Sequence, residues 1–283
     1  MKTLSMPELT PLERVFNTFA HKKVDQLVFS PRIYYWYNAN RLYMPRMSDK
    51  NCQGHIPRRF LNKSQRQIHD MLGASPRYVF ESYNIPILWK RMKFKFKGGV
   101  KFRIGRGPRE GETAMHYKTP LGRMRKVTRG GHIVEYPVKT LRDLKKMKYI
   151  LKESKFTFSR PLFKIARHLL GDRGVVGGYF YRSPYMRLII DLMGFTRTIL
   201  FLRRYPAKME DFMNAISEWD DKMYEILANS PMKILNFGEN IDANLSPPHY
   251  FEKYLMPYYE KRVKQMHRAG KICHIHMDGS LKD

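Results

Sequence analysis

The run Lys271-Ile272-Cys273-His274-Ile275-His276-Met277-Asp278-Gly279 concentrates more chemistry than any other stretch of the chain. Read as a β-strand, it sends successive side chains to opposite faces. His274, His276 and Asp278 then share one face, and Cys273, Ile275 and Met277 the other. Imidazole and carboxylate groups are costly to bury unless something binds them. Residues two apart in a strand stand roughly 6.5–7 Å apart, so His276 and Asp278 could approach one ion or one substrate, with His274 a layer deeper. An edge strand with a wet polar face reads the same way, and the strand by itself does not separate the two.

The elements that must position this strand come just before it. Lys233-Ile234-Leu235-Asn236-Phe237-Gly238 reads as a short buried strand running into Glu239-Asn240-Ile241-Asp242, a loop with two carboxylates. Ser246-Pro247 reads as an N-cap and a proline at the first helical position. The helix that follows carries Phe251, Tyr254, Leu255, Tyr258, Val263 and Met266 near helical spacing, with Pro257 expected to kink it and Gly270 to end it. Strand, acidic loop, helix and strand make a βαβ unit of about 45 residues. Its polar groups fall past the carboxyl ends of the strands, where α/β barrels keep their chemistry.

These residues also carry a resemblance. Asn236-Phe237-Gly238-Glu239-Asn240, Leu245-Ser246-Pro247, Leu255-Met256-Pro257-Tyr258-Tyr259 and His276-Met277-Asp278-Gly279 resemble the uroporphyrinogen decarboxylase superfamily, which includes cobalamin-dependent methyltransferases. Upstream, Pro11-Leu12-Glu13-Arg14-Val15 with Val24-Asp25 is similar to the family's opening helix and first strand. Thr119-Pro120-Leu121-Gly122 and Tyr136-Pro137-Val138-Lys139 are similar to its middle hairpin, and Leu192-Met193-Gly194-Phe195 to a later helix. The resemblance implies an α/β fold, a (β/α)8 TIM barrel, as one domain over residues 1–283. Family members continue for two more strand–helix units beyond the strand that ends here, so the expectation is a barrel lacking its last units and carrying a basic β-hairpin insertion.

A chain of 283 residues with 43% apolar content can bury such a core. Patterning places helices at Pro11–Ala20, Ser64–Gly73, Leu141–Glu153, Arg160–Leu170, Pro184–Met193 and Ala207–Ala228, and strands at Gln26–Ser30 and Val175–Tyr179. The Ala207–Ala228 helix shows the clearest stripe, Met209, Phe212, Met213, Ile216, Met223, Ile226 and Leu227, which is core rather than a cofactor box. No run of 18 apolar residues occurs, so no spanning helix and no membrane partner are expected. Residues Met1 to Leu12 lack the apolar centre of a signal peptide. Two cysteines, Cys52 and Cys273, cannot build a disulfide framework, and the expected compartment is the cytoplasm. Cys52 beside His55 reads as an ordinary loop cysteine, since no second pair accompanies it.

The charge is uneven. The chain has 53 basic and 25 acidic residues, a net +28, and between Lys90 and Arg129 it has fourteen Lys or Arg against Glu110 and Glu112 alone. In Lys93-Phe94-Lys95-Phe96-Lys97 the alternation gives a cationic and an apolar face, and a hairpin over Met92–Arg103 is expected. A solvated hairpin and an anion-binding face both fit. Nucleic acid is not the expected partner, because the phenylalanines are committed to the core side instead of stacking on bases.

The resemblance also implies site residues. Family decarboxylases grip substrate carboxylates with two arginines after the first strand; here Arg32 matches one, and the other position is Trp36 within Tyr34-Tyr35-Trp36-Tyr37. Their tyrosine position is Ile190 and their serine position is near Asn240. The methyltransferases bind zinc through His-x-Cys and a distant cysteine. Here His276 matches, Asp278 replaces the cysteine, and Glu239 is an added candidate ligand. Carboxylate can ligate zinc, though it makes a harder site than thiolate. The expectation is therefore a methyltransferase-like enzyme. Arg32 and Asp278 are its catalytic candidates, and Arg32, Trp36, Tyr37 and Asn240 its contacts to a small or anionic substrate. His276, Glu239 and Asp278 are the zinc ligands, and methylcobalamin is carried by a corrinoid partner protein. The alternatives are a uroporphyrinogen decarboxylase of tetrapyrrole biosynthesis, which needs no cofactor, and a catalytically inactive barrel that binds anions or nucleic acid. A homodimer is compatible with each.

Overall fold

The computed structural model describes residues 8–40, 56–76, 92–177, 179–277 and 279–282. Cys52, His55 and Asp278 lie outside these residues. The helices are α1 (Pro11–Phe19), α2 (Ile33–Ala39), α3 (Gln65–Met71), α4 (Leu141–Lys152), α5 (Arg160–Leu170), α6 (Pro184–Arg187), α7 (Phe195–Arg204), α8 (Pro206–Ala228) and α9 (Met256–Arg268). The strands are β1 (Met92–Phe96), β2 (Lys101–Arg106), β3 (Glu112–Thr119), β4 (Gly122–Arg129), β5 (His132–Glu135), β6 (Ser154–Phe158), β7 (Tyr179–Phe180), β8 (Ile234–Ile241) and β9 (Ile272–Met277). Among the described residues these strands form sheets ordered β1-β6, β2-β3-β4-β5 and β7-β8-β9, and no closed barrel is seen.

The backbone divides into two compact units. The first comprises Met1–Arg91, Ser159–Gly178 and Pro231–Leu235. Thr10 and Glu13 form a reciprocal capping box that starts α1. Arg14, nearly buried, then reaches Asp25 at 2.8 Å. That guanidinium holds the Asp25 carboxyl well below the usual carboxylate range. The strand expected at Gln26–Ser30 does not form, because its apolar residues have no core to enter: Leu27 is 89% and Phe29 52% exposed. Tyr37, Ile56, Phe60 and Ile68 make one apolar cluster of this unit, and Ala166, Leu170 and Val176 another.

The second unit comprises Met92–Phe158, Tyr179–Ser230 and Asn236–Asp283. The expected hairpin over Met92–Arg103 is replaced by two separate pairings. β1 pairs antiparallel with β6, Met92 opposite Phe158 and Phe96 opposite Ser154, while β2 pairs with β3. Gly98 and Gly99, at φ +54° and +71°, turn the chain out of the first sheet before β2 begins. The alternation itself holds where the side chains are described. Lys95 and Lys97 are exposed, and Phe96 is half-buried against Phe102 and Tyr117, with ring centroids 5.9 and 6.4 Å away. Thr119-Pro120-Leu121-Gly122 is indeed a hairpin turn, joining β3 to β4.

α8 buries Met209, Phe212, Met213, Ile216, Met223 and Leu227 of the expected stripe, leaves Ile226 half-buried, and adds Trp219 and Tyr224. Each such side chain contributes about 1.5–3 kcal/mol by leaving water. β8 is buried at every position except the half-buried Asn240, as a strand covered on both faces must be. The strand expected at Val175–Tyr179 is reduced to β7, which pairs parallel with β8 through Tyr179–Asn236 and Phe180–Phe237. Between β8 and β9 the helix begins as one turn at Pro248–Tyr250, widens into a π-turn at Phe251–Leu255 and continues as α9. The expected disruption at Pro257 takes this form: the π-turn precedes it, and Pro257 sits in the first turn of α9, where its missing N–H costs nothing. Ser246 does not cap the helix as expected. Its hydroxyl donates instead to the carbonyl of Asp242 at 3.0 Å.

Candidate active site

The parallel register of β7 and β8 brings Arg182 and Ser183, the second and third residues after β7, level with Glu239 and Asn240 near the end of β8. The connection from β8 through α9 to β9 sets the third strand's end beside them. Gly279 donates its N–H to the Ile241 carbonyl at 3.2 Å, and Ala243 donates to the Ser280 carbonyl at 2.7 Å. The Asp242 carboxylate accepts from the N–H of Asn244 at 2.8 Å and of Ser280 at 3.0 Å. A Cβ on Gly279 would fall 2.2 Å from Asp242 Oδ2, so this clasp requires glycine.

Glu239 is the most unusual group at these ends. It is 0% exposed, and one carboxyl oxygen accepts the backbone N–H of Ser183. The other oxygen is buried without a well-directed hydrogen bond, as are the facing hydroxyls of Ser183 and Tyr259. Burial pushes the Glu239 carboxyl up to about 7, against the opposing pull of the Ser183 N–H and hydroxyl, Arg182 and Tyr259. Burial, reinforced by Glu239, likewise raises the Tyr259 phenol far above its ordinary range. A carboxyl poised near neutrality and fixed at one oxygen by a backbone N–H can exchange a proton or ligate a cation.

Cations flank it. Arg182 pairs with Asp191 at 3.3 Å. Lys126, on β4, lies close to both: its pKa is lowered first by burial, then raised by Asp191 and lowered by Arg182. Beneath them a buried network fixes the helices. Asp220 accepts from Arg187 at 2.9 and 3.0 Å and from the Tyr258 hydroxyl at 2.8 Å. The fully buried Arg262 reaches the Ser217 carbonyl at 2.8 Å and Asp221 at 2.5 Å. Its guanidinium lies over Tyr224 and Tyr258, 4.8 and 5.1 Å from the ring centroids.

The other residues singled out in the sequence fall as follows. Ile272 through His276 are half-buried and Met277 is exposed, so accessibility along β9 does not alternate between its faces. Burial raises the Cys273 thiol to about 12, which makes it a poor nucleophile. Asn240 is half-buried on β8 beside Glu239. Arg32, Trp36 and Tyr37 belong to the first unit. There Arg32 donates to the Tyr35 hydroxyl at 3.1 Å and stacks over its ring at 4.9 Å. Trp36 meets Phe60 edge-on at 6.0 Å, and Tyr37 is core. Among the described residues no three His, Cys, Asp or Glu side chains converge as a metal centre would need, and Asp278 lies outside them. Sequence reasoning missed Arg182, Ser183, Asp191, Lys126 and Tyr259. Only Ser183-Pro184, a strand-to-helix junction signal, could have pointed to one of them.

No curated protein matches the chain. Among solved structures the chain is similar to a methyltransferase from Methanosarcina mazei at 12% identity and a TM-score of 0.46, covering 96% of this chain and 71% of that one. Among the described residues no helix is long and apolar enough to cross a membrane. The family model for uroporphyrinogen decarboxylase (URO-D) matches residues 123–283, which hold β8, β9 and every residue of the strand-end cluster, and the chain belongs to that family.

Proposed function

We propose that this URO-D-family enzyme transfers a methyl group supplied by a corrinoid partner protein, with Glu239, His276 and Asp278 as ligands of a zinc-type centre. The observation that carries the proposal is the fully buried Glu239 carboxyl, with one oxygen on the Ser183 N–H and the other faced by the Ser183 and Tyr259 hydroxyls without a well-directed hydrogen bond. Such an oxygen is costly unless a cation or a proton donor completes it. Zinc takes nitrogen and oxygen donors of this kind, and when bound it lowers the pKa of an acceptor thiol or polarises a leaving oxygen. In this reading the Ser183 N–H fixes the direction of the Glu239 carboxyl, and Glu239 gives up its proton near neutral pH. Arg182 and Lys126 meet an anionic part of the substrate, while Asn240 contacts its body. Arg32, Trp36 and Tyr37 remain proposed substrate contacts on the strength of the sequence resemblance. A separate corrinoid protein is invoked because the sequence contains no Asp-x-His-x-x-Gly cobalamin loop.

Decarboxylation of a tetrapyrrole is the second reading, favoured by Arg182 and Lys126, two cations suited to substrate carboxylates. Against it stands the Glu239 carboxyl, which would repel the same groups once ionised. The two readings separate on variants. In a methyltransferase, His276→Ala should abolish transfer from a methylated corrinoid protein, with Arg32→Ala affecting mainly substrate KM. In a decarboxylase, Arg32→Ala should be the more damaging and metal chelation should change nothing. Decarboxylation of uroporphyrinogen by metal-free protein would end the methyl-transfer proposal. Inactivity in both assays would favour a binding role.

A further inference from the structure

An open cavity of about 870 Å³ lies between the start of α4 and the end of α7, lined by none of the strand-end residues. Leu141, Leu200 and Tyr205 supply apolar wall, and Arg142, Arg203 and Arg204 supply charge. The three arginines are exposed, and among the described residues none forms an ion pair with a carboxylate. Lys139, also at the rim, is already paired with Glu135.

Two of these charges have a local reason and one does not. Arg203 and Arg204 occupy the last turn of α7, where the helix end is negative. Arg142 is the second residue of α4, at the positive end, where a cation is unfavourable. That end is already served by the Thr140–Asp143 capping box, so Arg142 adds nothing to the helix. An apolar wall is also left open: Leu200 is 59% exposed. Tyr205 presents a ring with Arg204 at 5.7 Å and Lys208 at 5.6 Å from its centroid.

Guanidinium forks match phosphate oxygens bidentately, a flat apolar wall accepts a ring, and the volume lies in the range of small-ligand sites. We propose that this cavity binds a nucleotide, with its phosphates on Arg142, Arg203 and Arg204 and its base against Leu200 and Tyr205. An extended nucleic acid would instead track a groove with several stacking platforms.

Calorimetric titration of the full chain with ATP, tripolyphosphate and an oligoadenylate tests this. ATP is expected to bind in roughly the ten-to-hundred-micromolar range and about tenfold tighter than tripolyphosphate. Arg142→Ala and Arg203→Ala should each weaken ATP about tenfold, and Lys264→Ala, at an exposed position of α9 that does not line the cavity, should not. Tyr205→Leu should weaken ATP while leaving tripolyphosphate unchanged, and Tyr205→Phe, which keeps the ring and the fold, should retain ATP. Equal binding of ATP and tripolyphosphate, or ATP binding indifferent to Arg142→Ala, would overturn the proposal. So would oligoadenylate bound more than about tenfold tighter than ATP through the same arginines, which would reassign the site to nucleic acid.

Discussion

Ser183 donates its backbone N–H to one oxygen of the buried Glu239 carboxyl, while the other oxygen faces the Ser183 and Tyr259 hydroxyls without a well-directed hydrogen bond. The relationship follows from the parallel pairing of β7 with β8, which brings the turn after one strand level with the end of the next. It fixes the direction of a titratable group whose proton comes off at about 7.

That shift has a stability consequence. An unfolded glutamate ionises near pH 4.3, whereas Glu239 in the folded chain ionises at about 7. Between these values the folded state holds a proton that the unfolded state lacks. The associated stability is complete below the unfolded value and is lost as pH rises through the folded one, on the order of 3 kcal/mol in all. Glu239→Gln, which never ionises, is expected to be more stable than the parent at pH 8 and to show no such gain at pH 4. Urea unfolding at the two pH values measures it.

The Arg187–Asp220 pair is buried on both sides, with side-chain exposures of 6% and 0%. Removing one partner of such a pair strands the other charge. Asp220→Ala is expected to cost about 3–5 kcal/mol, and replacing Arg187 by Met in the same chain should recover part of it. Chemical denaturation of the single and double variants checks both.

Much of this was legible in the sequence. The helices α1, α3 and α4 follow capping boxes, and α5 and α8 follow an N-terminal proline and 3.6-residue apolar periodicity, all local properties. β8 and β9 were legible as a βαβ unit with Glu239 a candidate ligand, but β8 runs on to Ile241 through residues 239–241 that the sequence reads as loop. Pairing was not legible. Whether β1 joins β2 or β6 depends on which strand, some sixty residues away, can cover it. Arg182 and Tyr259 reach Glu239 from distant parts of the chain, and Lys126 reaches Arg182 and Asp191 from β4, which no spacing in the chain encodes.

Lys118 stands directly between Lys101 and Arg123 in the β2-β3-β4 register, and all three are exposed. Like charges facing each other across strands repel. Lys118→Glu is expected to raise stability by about 0.5–1 kcal/mol at low salt and by less at high salt. Thermal melts at two ionic strengths give the comparison; a loss of stability would contradict it.

Gly279→Ala forces a methyl group into Asp242, within 2.2 Å of Oδ2 and 2.3 Å of Cβ. The loop must open, releasing the Asp242 contact to Ser280. A loss of about 1–3 kcal/mol is expected, together with faster amide exchange at Ser280.

The most direct measurement of the central claim is zinc titration of metal-stripped protein, comparing the parent with Glu239→Gln and His276→Ala. The account expects one zinc per chain, with each substitution weakening binding by about tenfold or more. It also expects parental affinity to fall by about tenfold per pH unit below 7, because Glu239 must lose its proton to ligate. Zinc held equally well by Glu239→Gln, or no stoichiometric zinc on the parent at pH 8, would contradict it.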